Sequence, residues 1–425
     1  MKLLALSVLV LLCGLLEVQS EGYNGYKVYQ VTPKTLQQAD ILHQLHEDPE
    51  FDFFQDAKLL GQPMSIMASP RVQQYFETTL ANLTHEGLDY TVTTEDVQKV
   101  LDEEYADFVR RNASRQAGAR AVFDEYISHA EVLAYLERLE REHPEIVRLE
   151  SIGRSTEGRD LLLIHIGSGR PNAPTIFIDA GIHAREWIAT PSALYIISQL
   201  VENPAHARLH QNVNWAIIPA INPDGYEFSR SSVLNRLWRK TRRPNQGSTC
   251  IGTDPNRNFG YQWNTGGAST NPCSDIYAGP EPFSEPETDA IRRYFINHYT
   301  EIKLYVTIHS YGNYILYPWG FTSELPRDAL HLQTVAEAAA RPIEAASTLG
   351  SRYTIGSSTN VLYEASGGSD DWTKGAIGVD LSYCFELPGG GSFGFNPPVA
   401  MIRPIVEETF EGFIALGEYI GSLYG

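Results

Sequence analysis

Basic residues are scarce: Lys and Arg total 33 against 52 Asp and Glu, a formal net charge of −19. Such a chain repels phosphate backbones, which excludes nucleic acid as a partner. The acidic excess favours cationic ligands or serves solubility alone. After residue 20 no apolar run is long enough to span a bilayer, so no membrane association is expected. Internal repeats and low-complexity tracts are missing too. The His-Glu-x-x-His zinc helix is also lacking, because His85-Glu86 is followed by Asp89 where the second histidine belongs. Cysteine is sparse, with four in the whole chain.

What is present is globular, with 43% hydrophobic and 20% charged residues, and 425 residues exceed one ordinary domain. Residues 1–20 have a basic start at Lys2, an apolar core over 3–16, and small residues at Val18 and Ser20. That pattern is a secretory signal peptide, and it implies a soluble, secreted, extracellular protein. Cys13 leaves with it. In an oxidising compartment two of the other three cysteines can pair. Cys250 and Cys273 flank a polar loop and form the expected disulfide, contributing about 2–4 kcal/mol. Cys384 lies in an apolar run and reads as a buried thiol. Asn82 and Asn112 head glycosylation sequons.

Residues 21–115 read as a small α+β unit with its linker. A strand is expected at 26–31, helices at 35–45 and 71–83, then a strand and a helix up to 104. Nothing in this unit looks catalytic. Residues 110–120 are basic and rich in small side chains, an exposed and mobile linker. A cut after Arg111, Arg115 or Arg120 by a trypsin-like protease would separate the halves, so the order of parts is that of a pro-segment ahead of an enzyme. Residues 121–425 read as α/β: a helix at 126–142, strands near 147 and at 161–166, a strand at 213–221 ending in a turn at 222–225, and a last helix at 402–423. The expected fold is a twisted mixed, largely parallel sheet covered by helices on both faces.

The chain is organised around 175–187, TIFIDAGIHAREW. Its β-branched apolar half is a buried strand. His183, Arg185 and Glu186 follow at the carboxyl end, where open α/β sheets bind ligands. Two further strands end in His309 and Glu386. His183, Glu186 and His309 make a two-histidine, one-carboxylate zinc set that leaves a fourth place for water, whose pKa the metal lowers. Glu386 is placed to take that water's proton and pass it to a leaving amine.

His183-Ala-Arg-Glu186, the run 237–242 (LWRKTR), Asp254-Pro-Asn256-Arg257-Asn258, His309-Ser-Tyr, the run 363–372 (YEASGGSDDW) and Phe385-Glu386-Leu387 resemble the pancreatic-type zinc metallocarboxypeptidases, in the family's order. The similarity is nearest to carboxypeptidase B, as a preproenzyme. Carboxypeptidase A is the standard example of a two-histidine, one-glutamate zinc site. The resemblance implies one Zn2+ on His183, Glu186 and His309, and Glu386 as general base and then general acid. Arg239 would stabilise the oxyanion. Asn256, Arg257 and Tyr363 would hold the substrate's free carboxylate, which Arg257 can bind bidentately. Arg185 would line the next subsite, and Asp254 would orient His183. Asp370 would form the pocket floor and favour C-terminal Lys or Arg, although its neighbour Asp371 could point inward instead. Gly320 and Ser358 leave room for a long side chain. Pro388 departs from the family, where a basic residue is common. The expected molecule is a monomer acting on peptide or protein C-termini.

Two other readings compete with this one, besides an apolar, carboxypeptidase A-like specificity. Gly390-Gly391-Ser392-Phe393-Gly394 matches a serine nucleophile elbow, but Pro397-Pro398 forbids the helix that must follow directly. A non-catalytic protein that only binds chain ends would lack the base, and Glu386 is present.

Overall fold

Residues 175–180 are buried without exception, whereas 89–94 are mostly exposed or half-buried. The first pattern needs cover on both faces of a sheet. The second suits a sheet edge. The computed structural model describes residues 22–56, 60–114, 122–168, 170, 173–391 and 393–425, and it shows two sheets that meet these demands. The expected signal segment, Arg115, Arg120 and Ser392 lie outside the described residues.

The N-terminal unit holds β1 (Lys27–Thr32), β2 (Phe51–Gln55), β3 (Met64–Ala68) and β4 (Asp89–Thr94), with α1 (Leu36–His43), α2 (Gln73–Thr84) and α3 (Val97–Ser114). The strand order is β2-β3-β1-β4, antiparallel throughout. Thr35 and Gln38 close a capping box at the start of α1. Side chains alternate between the two faces. Tyr29, Val31, Phe51 and Ile66 pack with Phe76 and Leu80 of α2. Val28, Phe54 and Met67 face the other way, onto Leu237, Phe393 and Phe395 of the large unit. The sequence reading does not anticipate β2 or β3. It also begins the linker too early. Helix α3 runs through Ser114, and Asp107 pairs with Arg110 and Arg111 one turn on. Arg111 therefore sits on a helix.

The large unit holds β5 (Val147–Arg154), β6 (Asp160–Ile166), β7 (Thr175–Ala180), β8 (Asn214–Ile218), β9 (Ile302–Ser310), β10 (Tyr314–Tyr317), β11 (Thr354–Ser357) and β12 (Leu381–Leu387). Their order is β11-β10-β12-β9-β7-β8-β6-β5. The central strands β12, β9, β7 and β8 are parallel, while β10 opposes β12, β6 opposes β8 and β5 opposes β6. The helices are α4 (His129–Glu142), α5 (Ala189–Val201), α6 (Pro223–Ser231), α7 (Pro286–His298), α8 (Ala329–Ala346), the single turns α9 (Ser358–Val361) and α10 (Ser369–Trp372), and α11 (Val399–Tyr424). Ile176, Ile178, Val306 and Ile308 face Leu136 of α4, Leu194 of α5, Val335 of α8 and Phe413 of α11. Phe177 and Tyr305 face Ile291 and Phe295 of α7. The sheet is thus mixed, parallel at its centre and covered on both faces, as the sequence suggests. The turn expected at 222–225 is instead the start of α6: Asn222 accepts from Gly225 N, and Pro223 occupies the first helical position, where no N–H is needed. Cys250 and Cys273 are bridged, and Cys384 is free and buried.

Glu287, in the first turn of α7, is buried and its Oε2 has no partner among the described residues. Burial pushes its pKa from the ordinary 4.5 up to about 8, with Glu285 and Asp224 adding to the effect. A carboxyl raised on folding stabilises the fold while protonated and loses that contribution as pH rises through its folded pKa. Stability should fall between about pH 4.5 and pH 8, and Glu287→Gln should flatten that fall. Urea unfolding midpoints across this pH range check it; parallel curves would contradict it.

Candidate active site

Strand β7 ends at Ala180, and the chain turns back at once through Gly181, whose φ of +70° suits glycine. The turn is pinned from two sides. Ala184 N donates to Arg239 O at 3.0 Å, and Asn222 Nδ2 donates to Ile182 O at 3.0 Å. This holds His183 and Glu186 at the strand's carboxyl end. On β9, Tyr305, Thr307 and His309 share one face, and Glu386 on β12 lies in register with His309.

Nδ1 of His183 lies 2.7 Å from Glu186 Oε1 and 3.2 Å from Nδ1 of His309, which in turn lies 3.0 Å from Glu186 Oε2. All three residues are buried, and their ligand atoms lie within 4.8 Å of one another. The outer nitrogens explain the fit to a cation. His183 Nε2 is 3.1 Å from Asp254 Oδ1, so its proton belongs there and the lone pair of Nδ1 faces inward. His309 Nε2 meets Thr307 Oγ1 at 3.1 Å. Two inward lone pairs and a carboxylate suit a divalent cation such as zinc, not one another.

Arg239 donates to Asp254 Oδ2 from Nε at 3.0 Å and from Nη2 at 2.8 Å, and its Nη1 is 3.9 Å from Glu186. Burial disfavours the Asp254 carboxylate, but Arg239, His183 and Arg257 outweigh it and hold its pKa well below the ordinary value. Burial pushes Glu386 up to about 8; His309 and Arg239 pull it back and Glu186 adds to the rise. Asn256 N donates to Asp254 Oδ1, and Asn256 Oδ1 accepts from Ser369 N, both at 2.9 Å. Arg257 is anchored on Gly267 O at 2.8 Å and Asn256 O at 3.0 Å, with Tyr363 OH at 3.5 Å. One cavity brings together His183, Arg185, Glu186, Arg239, Asn256, Arg257, His309, Tyr363, Asp370 and Glu386; Asp254 lies behind it.

The choice between Asp370 and Asp371 has a geometric answer. Asp371 is fully buried and accepts from Gly320 N at 2.9 Å and Phe321 N at 3.1 Å, so it is spent on backbone. Asp370 lines the cavity with Gly320 and Ser358, whose hydroxyl is 3.5 Å from Asp370 Oδ2. Burial raises the Asp370 pKa.

The sequence reading missed the N-terminal unit's share of this cavity. Phe53, Phe54, Gln55 and Asp56 of β2 and its end line it. Arg185 is buried at 1% exposure, held bidentately by Asp52 at 2.5 and 3.0 Å and flanked by the rings of Phe54 and Phe395. Gln55 Nε2 donates to Tyr314 OH at 3.3 Å. Only the Phe-Asp-Phe-Phe alternation at 51–54 hinted at a strand, and nothing local marked its target.

Comparison with known proteins agrees with this geometry. The zinc carboxypeptidase family model matches residues 132–412, and that of the carboxypeptidase activation peptide matches 29–104. The chain is 46% identical to carboxypeptidase B of Astacus astacus over 70% of this chain and 98% of the relative. It is 36% identical to carboxypeptidase B of Helicoverpa zea over 97% and 98%. The crystal structure of carboxypeptidase A from Helicoverpa armigera superposes with a TM-score of 0.87 at 32% identity, covering 94% of this chain and 98% of that one. With this fold, this cluster and a front unit lying across the cleft, the chain belongs to the zinc carboxypeptidase family, in zymogen form with its activation peptide.

Proposed function

We propose that this protein is a secreted, monomeric zinc exopeptidase that removes Lys or Arg from peptide C-termini once its activation segment is cut away. The observation that carries this reading is a single cavity holding the His183–Glu186–His309 cluster at one side and the Asp370 carboxylate at another. The similarity to proteins named carboxypeptidase B supports the basic specificity, although relatives named carboxypeptidase A are also similar.

Zinc on His183, Glu186 and His309 would polarise the scissile carbonyl and acidify a water. The remaining work belongs to the chain. Arg257, fixed by Gly267 and Asn256, meets the substrate's terminal carboxylate with Asn256 and Tyr363. This contact demands a chain end. Arg239 faces the carbonyl oxygen as negative charge grows there. Glu386, with a pKa raised towards neutrality, takes a proton from the attacking water and delivers it to the leaving amine. Arg185 would bind the residue before the cut, after Asp52 departs. Asp370 pairs with the incoming cation, while Leu316 and Leu362 flank its aliphatic stem. An apolar side chain would leave that carboxylate buried and unpaired, which costs affinity.

The test is hydrolysis of matched substrates ending in arginine and phenylalanine, before and after trypsin. Turnover should appear only after cleavage, favour arginine and stop with a metal chelator. No release of arginine after cleavage, or resistance to the chelator, would contradict the reading. Glu386→Gln should retain zinc and lower kcat by roughly 100-fold or more; near-normal kcat would remove Glu386 as the proton carrier. Asp370→Ala should keep zinc content and lower kcat/KM for arginine by at least about 100-fold while gaining on phenylalanine; an unchanged ratio would contradict the pocket assignment.

A further inference from the structure

Below the metal cluster, on the same face of the sheet, lies a buried carboxylate that the mechanism above does not use. Asp179 is on β7 and Thr307 is its register partner on β9. Both are fully buried. Asp179 Oδ1 accepts from Thr307 Oγ1 at 2.8 Å, and its Oδ2 accepts from Tyr305 OH at 2.5 Å. Thr307 Oγ1 in turn lies 3.1 Å from His309 Nε2.

A threonine hydroxyl has one proton. If that proton pointed to His309 Nε2, the imidazole would carry its own proton on Nδ1, facing Glu186 and His183, and could not ligate a cation there. With the proton committed to Asp179, the oxygen presents a lone pair to His309, and Nε2 becomes the donor. Nδ1 then faces Glu186 Oε2 with a free lone pair. His183 achieves the same state by touching Asp254 directly. The two histidines thus have matching supports, one direct and one relayed through a hydroxyl.

We propose that Asp179 is a positioning residue that sets the tautomer and orientation of His309 through the Thr307 hydroxyl, and so tunes zinc affinity. The inference rests on the zinc reading above and adds a residue outside the cavity to it. Tyr305 has a separate part: it occupies Oδ2 and keeps the carboxylate from rotating away from Thr307.

The experiment measures zinc dissociation constants of the full chain by competition with a chelator. Thr307→Val removes the relay and should weaken zinc roughly 10–100-fold. Thr307→Ser keeps the hydroxyl and should restore wild-type affinity. Asp179→Asn should weaken zinc, and the double variant Asp179→Asn/Thr307→Val should be no weaker than Thr307→Val alone, because both changes act through one relay. Wild-type affinity in Thr307→Val, equal losses in Thr307→Val and Thr307→Ser, or additive losses in the double variant would each overturn the proposal. Should Asp179→Asn fail to fold, the Val/Ser pair decides. A wild-type chain that binds no zinc would overturn the zinc reading itself, and this inference with it.

Discussion

Two imidazole lone pairs and a carboxylate pointed at one another inside a protein are costly unless something positive lies between them. The rest of the molecule is arranged to hold that conflict in place. Strands β7 and β9 are parallel neighbours, so their carboxyl ends arrive side by side with His183, Glu186 and His309. Strand β12 brings Glu386 into register with His309. Behind the cluster, Asp254 and Asp179 fix the outer nitrogens, one by contact and one through Thr307. Asp254 also takes two hydrogen bonds from Arg239 and one from Asn256 N. One buried carboxylate therefore ties the His183–Glu186–His309 cluster to two residues that line the cavity, Arg239 and Asn256. A buried charge with that many partners is stable, and losing any partner would be felt at all the others.

The same electrostatic logic explains the closed form. Arg185 and Arg236 are both buried in the large unit, yet their carboxylate partners Asp52 and Glu104 come from the N-terminal unit. Arg236 is also packed on the Trp187 ring at 3.7 Å, and it donates to Arg185 O. Two buried cations of the large unit, of which Arg185 lines the cavity, thus pair with two anions of the activation segment. The apolar contact of Phe54 with Phe393 and Phe395 seals the space between them. Within the large unit itself Arg185 has a second carboxylate nearby, Asp275 at 3.7 Å.

The cluster was legible because its parts sit at strand ends within runs of apolar residues, and such runs are read reliably. His183, Glu186, His309 and Glu386 needed no more than that placement, and the order of motifs supplied the rest. Asp370 was assigned ahead of Asp371 only from its place in the family motif, because both lie on one helical turn and no local pattern separates them; the backbone N–H groups of Gly320 and Phe321 show that Asp371 is spent on structure. Asp179 was invisible for a similar reason: a lone aspartate inside a strand has meaning only once Thr307 and Tyr305 are seen beside it on β9. The role of β2 was missed because a strand that plugs a cleft in another unit carries no local mark of its target. The sequence also suggested a linker from residue 110, whereas ion pairs to Asp107 extend α3 through Ser114.

The central claim is that distant parts of the chain converge on one zinc ion. An anomalous difference map recorded at the zinc edge, on crystals of the zinc-loaded protein, tests it directly. The account predicts one strong peak about 2 Å from Nδ1 of His183, Nδ1 of His309 and the Glu186 carboxylate. A map with no peak there, or with the ion held by other side chains, would contradict it.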